Sequence, residues 1–495
     1  MYFWDKVLKF GIFTSAPLHS NISTKDINMD FSVIILAAGA GTRMRSHTPK
    51  VLHTICGKPM IYYIVREALS VSDDVHIVLY HKREMIESYL KKSLENGELE
   101  GNLIFHTQNH EAFPGTGGAF FVNEGEKSSQ NDGKKIIDFA HECVVVLNGD
   151  MPLITRETIA KIAHFLKPHN DKNTTKIAIS TMKLENPSGY GRVIFDNSNV
   201  ANEVCGAEVE AIIEEKDCDE SQKLLNIVNA GIYAFDRGIL QNLLPKISNH
   251  NAQKEFYLTD MVALARAQGI KISAFCGDKD EFMGVNSKSE LAKAECKKLE
   301  YLREKAMKNG VIMHLPHTIY IEEEVEFSGQ CELESGVVLK GKTLIQDSII
   351  KSHTVVESSQ IISSDIGPFA HIRPNSVINS THIGNFVETK AANLQGVKAG
   401  HLSYLGDCQI GQGSNVGAGV ITCNYDGKAK HKTIIGENVF IGSDTQLVAP
   451  VNIESSVLIA AGSTITNDIK SGDLAISRVK QVNKAGFFKR FFGDK

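Results

Sequence analysis

The strongest constraint on the fold of this 495-residue chain is a six-residue repeat in its C-terminal third. A hexapeptide repeat is typical of a β-helix, in which each repeat forms one flat face and the recurring aliphatic side chain points into a shared interior. A β-sandwich would instead alternate with a period of two and have irregularly spaced turns. The repeat predicts a left-handed parallel β-helix over residues 314–480. The aliphatic residues that carry the repeat are Val338, Leu344, Ile350, Val356, Ile362, Ile366, Ile372, Ile378, Ile435, Ile441, Leu447, Ile453, Ile459 and Ile465.

One stretch, "TCNYDGKAKHKT" at residues 422–433, interrupts the repeat. An insertion of this kind in a solenoid is an excursion loop, and such loops often serve binding.

The part of the chain before the repeat follows a different pattern. Between residues 31 and 285, short apolar runs rich in β-branched residues alternate with helical stretches, which indicates βαβ units and a mainly parallel sheet. A charged stretch, residues 289–310, has a helical stripe and predicts a connecting helix. We therefore predict a Rossmann-like α/β domain over residues 29–287, a linker helix within 288–313, the β-helix, and a tail over 481–495.

Residues 1–28 show no clear period, and a strand-like run begins just after Met29. Two interpretations fit this segment. Translation could begin at Met29, or the segment could be a disordered extension without a role of its own.

The amino-acid composition argues against nucleic acid as a partner of this chain. A formal net charge of −5 lacks the basic surplus that nucleic-acid binding usually needs. The nine cysteines form no C-x-x-C pair, so neither a zinc site nor a disulfide framework is indicated, and a reducing cytoplasm is expected. No apolar run approaches the ~18 residues of a membrane span.

The stretch "ILAAGAGTRM" at residues 35–44 is a candidate phosphate-binding turn. It lacks the Walker A pattern, and Met44 stands where a dinucleotide fingerprint needs its third glycine. Small residues followed by Arg43 and Lys50 suit a triphosphate, although a tight strand-to-helix turn with solvated cations is the alternative. Asp150, at the end of an apolar run in "LNGDMPL", could hold Mg²⁺ or cap a turn.

The stretch "LAAGAGTRMRSHTPKVLHTICGKPM" resembles the signature of sugar-1-phosphate nucleotidylyltransferases. Five further stretches follow in the order of one bacterial family, the bifunctional N-acetylglucosamine-1-phosphate uridylyltransferases that are also glucosamine-1-phosphate N-acetyltransferases. They are "GYGRV", "IIEEKD", "VNAGIYAF", "EFYLTDMVA" and "GVNS". The resemblance covers roughly residues 29–478.

The resemblance implies a role for each matching residue of the α/β domain. Gln108 departs from the family pattern, because two more residues than usual separate it from the glycine turn at Gly115. The implied site consists of Leu36, Ala37 and Gly39 on the uridine side, Arg43 and Lys50 on the phosphates, Gln108, Gly115 and Thr116 on the uracil, Gly191, Glu214 and Asn229 on the sugar, and Asp150 and Asn286 as Mg²⁺ ligands.

In the repeat domain, Arg373 and Lys390 lie 17 residues apart, about one coil of three hexapeptides, so they can stack as a phosphate clamp or be solvated charges. A lone histidine such as His401 is ordinarily a surface or core residue. The surrounding sequence matches the family's acetyltransferase signature. That resemblance implies a general base, His401, and a residue that orients it, Glu388. It also implies that the backbone N–H of Ala418 faces the oxyanion. The implied ligands of glucosamine-1-phosphate are Arg373, Lys390, Tyr404 and Asn415, and those of acetyl-CoA are Ala418, Asn424, Tyr425, Ser443, Ala461 and Arg478.

The family further implies a cytoplasmic homotrimer, with the excursion loop reaching a neighbouring subunit. The tail could close over the phosphates of coenzyme A or be a frayed terminus.

The implied function is acetylation of glucosamine-1-phosphate with acetyl-CoA, followed by uridylyl transfer from UTP to N-acetylglucosamine-1-phosphate. The product, UDP-N-acetylglucosamine, supplies peptidoglycan and lipopolysaccharide synthesis. Two alternatives are a nucleotidylyltransferase whose β-helix is structural or regulatory, and a non-enzymatic assembly subunit built on the same two folds.

Overall fold

A computed structural model describes residues 31–121, 128–131, 134–166, 174–195, 204–251 and 253–493 of the chain. The N-terminal segment 1–28 lies outside the described residues. Within the described part, none of the helices has the length and apolar character needed to cross a membrane.

The first part is an α/β domain, as predicted. Its main sheet has the strand order β11-β10-β12-β8-β1-β4-β5, and β9 lies between β12 and β13. The strands are β1 (Ser32–Leu36), β2 (Thr54–Ile55), β3 (Lys58–Pro59), β4 (Asp74–Leu79), β5 (Leu103–Thr107), β6 (Ser128–Asn131), β7 (Lys134–Ile137), β8 (Cys143–Asn148), β9 (Ile177–Lys183), β10 (Arg192–Phe195), β11 (Val209–Ile213), β12 (Ile227–Asp236) and β13 (Ile272–Cys276). The helices are α1 (Met60–Leu69), α2 (Arg83–Glu95), α3 (Arg156–His164), α4 (Arg237–Leu243) and α5 (Asp260–Ala267).

Strand β1 lies at the centre of this sheet and pairs in parallel with β4 and β8. Its residues Val33, Ile34 and Ile35 are fully buried, because helices and loops cover both faces. The carboxyl ends of β1 and β8 therefore meet at one edge, and that is where ligands bind in open parallel sheets. The backbone N–H of Gly149 donates to Leu36 O across this edge (2.8 Å).

The linker is a 21-residue helix, α6 (Lys288–Lys308). Its N-cap is Ser287, whose side chain accepts from the Glu290 N–H (3.3 Å), so the helix begins slightly before the stretch that the sequence suggested. The predicted stripe consists of Leu291, Leu299, Leu302 and Ala306; the last three are buried and Leu291 is partly buried, so the stripe is confirmed.

The second part is a parallel β-helix with three flat faces, as predicted. One face consists of β14 (Ile312–Met313), β17 (Glu332–Leu333), β20 (Ile349–Ile350), β23 (Asp365–Ile366), β26 (His382–Asn385), β29 (Lys398–His401), β32 (Asn415–Val416), β35 (Phe440–Ile441), β38 (Leu458–Ile459) and β40 (Leu474–Ala475). The next consists of β15 (Tyr320–Ile321), β18 (Val338–Lys340), β21 (Val355–Glu357), β24 (His371–Ile372), β27 (Glu388–Lys390), β30 (Tyr404–Gly406), β33 (Ile421–Cys423), β36 (Gln446–Val448) and β39 (Thr464–Ile465). The third consists of β16 (Glu326–Ser328), β19 (Leu344–Gln346), β22 (Gln360–Ile362), β25 (Val377–Asn379), β28 (Asn393–Gln395), β31 (Cys408–Ile410), β34 (Thr433–Ile435) and β37 (Val451–Ile453). A short helix, α7 (Phe487–Phe492), lies in the tail.

The predicted phase of the repeat is confirmed over most of the solenoid and wrong at three positions. The aliphatic residues from Ile366 to Ile378 and from Ile435 to Ile465 are buried, as are Ile350 and Val356. At Val338, Leu344 and Ile362, however, the interior position belongs to a neighbour. The residues that point inward there are Leu339, Ile345 and Ile361.

The two parts of the chain are joined by buried charges beside α6. The Glu323 carboxylate accepts a hydrogen bond from Arg66 Nη1 (2.6 Å) and forms an ion pair with Lys298 (2.9 Å). The Lys298 ammonium also lies over the Tyr63 ring, 4.5 Å from its centroid. Glu323 thus ties the first coil of the β-helix to both α1 and the linker.

We expect Glu323→Gln to destabilise this junction by about 3 kcal/mol, because it leaves the buried Lys298 ammonium without its counter-charge and leaves Arg66 with Glu67 alone. Burial alone would raise the pKa of Glu323, but Lys298 and Arg66 outweigh burial and hold the pKa below its ordinary value. The stabilisation is therefore present above the carboxyl pKa of the unfolded chain and is lost as the pH falls through the folded value. Thermal unfolding at neutral and acidic pH measures it.

At neutral pH the Tm of the variant should fall by roughly 5–10 °C, and the difference should shrink in acid. The exposed residue Glu326 offers a control, since Glu326→Gln removes a charge without a buried partner. Equal Tm values for the two variants would contradict the importance of this junction.

Candidate active sites

The glycine turn after β1 brings a lysine against its backbone. Gly41 has φ 60°, and a Cβ atom there would lie 2.5 Å from Lys50 Cβ, so only glycine permits this approach. Met44, which stands where a dinucleotide fingerprint has its third glycine, is buried, whereas Arg43 is exposed. The turn therefore presents two cations, Arg43 and Lys50, beside the end of β1.

Lys50 connects two of the predicted metal ligands. Its ammonium donates to Asp150 Oδ2 (2.6 Å) and to Asn286 Oδ1 (3.0 Å). The Val285 N–H also donates to Asp150 O (2.9 Å), which holds the two loops together. Residues distant in sequence thus direct two oxygen atoms at one cation at the carboxyl edge of the sheet.

Sequence reasoning missed two residues near this cluster. Glu290 accepts from the Asn286 N–H (2.8 Å) and so fixes the Asn286 loop to the start of α6. The sequence "SKSE" at residues 287–290 is a capping box and could have revealed this contact. Burial raises the pKa of Tyr190, Glu290 and Asp150 add to the increase, and Arg43 opposes it, so Tyr190 faces the same cleft.

The predicted uracil-binding residues come together despite the longer spacing after Gln108. The Gln108 amide donates to Phe113 O (2.9 Å) and Gly115 O (3.0 Å), and the side chain is buried. Gly115 has φ 95°, and a Cβ atom there would lie 2.6 Å from Phe256 O. Thr116 accepts from the Leu258 N–H (3.1 Å). The two extra residues are accommodated within the loop.

The predicted sugar-binding residues also form one group. The Asn229 N–H donates to Gly191 O (2.9 Å), and a Cβ atom at Gly191 would lie 3.6 Å from Glu214 Oε2. Thr259, which sequence reasoning missed, donates to Glu214 Oε1 (3.0 Å). Burial raises the pKa of Glu214, although the Thr259 hydrogen bond opposes the change.

On the β-helix, Arg373 and Lys390 lie on neighbouring coils of one face, as their spacing predicted. Strands β24 and β27 pair so that Ile372 is opposite Thr389, which places Arg373 and Lys390 at the next position of the register. Arg373 donates to Glu388 Oε1 (2.8 Å). Among the contacts of the described residues, none joins Glu388 to the His401 ring, so its predicted orienting role stays a prediction.

A third cation, Lys430 of the excursion loop, joins this pair. Its close approach lowers the pKa of Lys390, and the charge of Arg373 contributes in the same direction. Asp407 lies 4.0 Å from the Lys430 ammonium and accepts from Asn424 Nδ2 (2.5 Å). Sequence reasoning missed Lys430 and Asp407, because no local pattern predicts how an excursion loop folds back.

Tyr404 lies beside this cluster, whereas Asn415 lies on a different face, in β32 of the following coil. Asn424 Nδ2 donates to the Tyr404 hydroxyl (3.5 Å), and Tyr404 pairs with Glu388 across β27 and β30. Asn415 begins β32 opposite Lys398.

His401 ends strand β29 and is exposed. It is opposite Asn385 of the preceding coil, and the pairing of Ala399 with Val416 places Ala418 opposite His401 on the following coil. The ring makes no hydrogen bond with the described residues, and the Ser403 hydroxyl donates to the His401 carbonyl (2.9 Å). The imidazole therefore projects from the solenoid.

The remaining predicted acetyl-CoA residues follow one edge of the solenoid. The Asp444 N–H donates to Ala418 O (2.8 Å), which stacks Ser443 beside Gly417. Arg478 Nη1 donates to Ala461 O (2.5 Å) on the adjacent coil. Tyr425 forms a bridge with Lys430 in the excursion loop and is 61% exposed, and the α7 phenylalanines are exposed as well.

Comparison with known proteins covers both halves of the chain. The family model for nucleotidyl transferases matches residues 32–299, and that for the bacterial transferase hexapeptide (six repeats) matches residues 432–467. The bifunctional protein GlmU of Helicobacter hepaticus is 55% identical over 468 residues, 94% of this chain and 98% of that protein. The proteins of the same name from Nitratiruptor sp. (52% over 465 residues; 94% and 100%) and Helicobacter pylori strain HPAG1 (53% over 462 residues; 93% and 99%) are similarly related.

Proposed function

This chain belongs to the family of the bifunctional protein GlmU, and from that membership we propose how its two sites divide the work. The enzyme acetylates glucosamine-1-phosphate with acetyl-CoA and then transfers uridylyl from UTP to N-acetylglucosamine-1-phosphate. We assign the first step to the β-helix and the second to the α/β domain. The convergence of Lys50, Asp150 and Asn286 at the carboxyl edge of the sheet carries the second assignment.

Uridylyl transfer needs neutralisation of phosphate charge and no covalent intermediate on the enzyme. A phosphate oxygen of the sugar phosphate attacks the α-phosphorus of UTP in line, and pyrophosphate leaves. Arg43 and Lys50 lower the repulsion between the two anions and stabilise charge on the leaving group. Gln108 with the Gly115 turn would hold the uracil, and the Gly191, Glu214 and Asn229 group would hold the sugar.

The residues around Lys50 fit the Mg²⁺ that the family implies. Asp150 and Asn286 both direct a hard oxygen atom at one cationic group, and Mg²⁺ prefers oxygen ligands from one or two side chains together with substrate phosphates. We propose Asp150 and Asn286 as its protein ligands. When bound, the ion would neutralise phosphate charge and polarise the α-phosphorus.

Acetyl transfer needs a base, because the ammonium of glucosamine-1-phosphate has no lone pair for attack on the thioester. A neutral imidazole can accept that proton, and His401 projects freely from the solenoid beside Ala418, whose backbone N–H would face the developing oxyanion. Arg373, Lys390 and Lys430 would bind the phosphate, with Tyr404 and Asn415 on the sugar.

Acetyl-CoA is long and thin, and it would lie along the edge defined by Ser443, Ala461 and Arg478, with Asn424 and Tyr425 at its acetyl end. The exposure of Tyr425 in the excursion loop supports contact with a neighbouring subunit. We propose a homotrimer assembled through the β-helix. The nine cysteines are free thiols, in keeping with the cytoplasm that we propose as its location.

The direct test supplies glucosamine-1-phosphate, acetyl-CoA, UTP and Mg²⁺ and follows free thiol and pyrophosphate separately. Thiol release without UTP, and pyrophosphate release that depends on acetyl-CoA, are expected. Pyrophosphate formed from N-acetylglucosamine-1-phosphate without thiol release under any condition would mean that the β-helix is structural.

Lys390→Ala should raise the KM for glucosamine-1-phosphate about 10- to 100-fold, because a charge-assisted hydrogen bond to phosphate is lost. The KM for acetyl-CoA and the uridylyl reaction should be unchanged. Lys398→Ala removes an exposed lysine from the neighbouring face and is the matched control. Equal KM values in the two variants would remove Lys390 from the proposed clamp.

A further inference from the structure

Two exposed thiols, Cys205 and Cys276, contact each other outside both proposed sites. The backbone N–H of Cys276 donates to Cys205 Sγ (3.2 Å), and a hydrogen bond also joins the two thiols. The other described cysteines provide no comparable thiol pair.

The backbone holds this pair in place. The Gly206 N–H donates to Ala274 O (2.8 Å), and the Ala274 N–H donates to Ala207 O (2.9 Å). Glu208 forms an antiparallel bridge with Ser273. The segment after Cys205 is thus laid against strand β13, which ends at Cys276, so the thiols meet without a change of fold.

The two sulfur atoms have different environments. Cys276 is exposed as a residue, but partial burial of its thiol raises the pKa to about 11. The hydrogen bond to Cys205 adds to the increase, and the one with Thr181 opposes it. Cys276 therefore keeps its proton and donates it, whereas Cys205 Sγ also accepts the backbone hydrogen bond. Cys205 is exposed and its sulfur atom is the acceptor of both hydrogen bonds, whereas Cys276 holds its proton, so Cys205 is the thiol that reacts first.

We propose that Cys205 and Cys276 are a dithiol site that closes reversibly to a disulfide by exchange with a low-molecular-weight disulfide. The Cys205 thiolate attacks one sulfur atom of the reagent, the reagent's S–S bond breaks, and one small thiolate leaves. Cys276 then loses its proton to solvent, attacks the Cys205 sulfur and displaces the second small thiolate. The protein loses two electrons, and the reagent is reduced to two thiols.

The bond would also restrain the sugar-binding side of the α/β domain, a consequence that rests on the proposed function. Cys276 pairs with Thr181 in β9, and Thr181 pairs with Asn229 in β12. The segment after Cys205 continues through β11 to Glu214. The sulfur atoms must approach to about 2.05 Å to form the bond. The disulfide therefore draws strand β13, which is joined to Asn229 through β9, towards the segment that leads to Glu214. We expect it to lower the rate of uridylyl transfer several-fold without changing acetyl transfer.

The chemical test uses the full-length protein in glutathione buffers of increasing disulfide content, quenched with acid, alkylated and digested for mass spectrometry. The expected product is one peptide pair joined through Cys205 and Cys276 and lighter by two hydrogen atoms. Cys296, an exposed thiol on α6, should gain only glutathione. In Cys276→Ser, Cys205 should stop at the mixed disulfide.

Free alkylated Cys205 and Cys276 throughout the series, or only their mixed disulfides, would overturn the proposed site whatever reaction the protein catalyses. The rate of uridylyl transfer is then measured on the oxidised wild type, with Cys205→Ser treated identically. A lower rate that a dithiol reductant restores is expected in the wild type alone. A disulfide that forms without any change in rate would refute the proposed restraint on the sugar site.

Discussion

Replacing Asp150 with asparagine is expected to lower the rate of uridylyl transfer at least about 10³-fold and to leave acetyl transfer at the wild-type rate. Asp150 supplies the only formal negative charge of the Lys50, Asp150 and Asn286 group. In the wild type the Lys50 ammonium lies 2.6 Å from Asp150 Oδ2. Asparagine keeps an oxygen acceptor for this ammonium, so the variant should still fold. Loss of the charge weakens Mg²⁺ binding at the proposed site. The repulsion between the phosphate groups of UTP and the sugar phosphate is then not neutralised in the transition state.

The measurement is pyrophosphate release from UTP and N-acetylglucosamine-1-phosphate over a range of Mg²⁺ concentrations. Asp73→Asn is the matched control, because that carboxylate is 82% exposed and pairs only with His141 among the described residues. A variant at position 150 that retained activity within tenfold of the wild type would show that the cluster serves structure. Acetyl transfer by the same preparation reports whether the chain is folded.

The sequence predicted the solenoid because its interior positions are periodic, but it did not predict every step of the period. From Leu339 to Ile345 the chain advances six residues, whereas from Ile345 to Ile350 and from Val356 to Ile361 it advances five. Some corners of the prism therefore close with one residue fewer. A strict period of six assigns Leu344 and Ile362 to the interior, whereas the buried residues are their neighbours Ile345 and Ile361.

The residues of the candidate sites could be predicted only where they belong to a recognisable sequence motif. The turn at Gly41 and the carboxylate at Asp150 belong to recognisable stretches, and the sheet brings them to one edge. Lys430 and Asp407 belong to no such pattern, because their proximity depends on how the twelve-residue excursion loop at residues 422–433 packs on the preceding coils. Tertiary folding creates such contacts, and local sequence does not encode them.

His401→Asn should reduce acetyl transfer about 10²- to 10⁴-fold, the usual contribution of a positioned general base, and leave uridylyl transfer unchanged. Asparagine is close in size to histidine but cannot accept the proton of the substrate ammonium. The His401 side chain makes no hydrogen bond with the described residues and is exposed, so its loss should cost little stability. Thiol release from acetyl-CoA, with glucosamine-1-phosphate as acceptor, measures the effect.

The split between kcat and KM separates a base from a binding residue. Loss of a general base should lower kcat for acetyl transfer and leave the KM for glucosamine-1-phosphate nearly unchanged, because the base acts on the proton that is lost during attack. Loss of a merely binding histidine would raise KM and leave kcat nearly unchanged. His382→Asn is the control, because His382 lies one coil earlier on the same face and its ring pairs with Asp365 (3.2 Å). This variant should behave as the wild type. An unchanged kcat in His401→Asn would show that another group accepts the proton of the substrate ammonium.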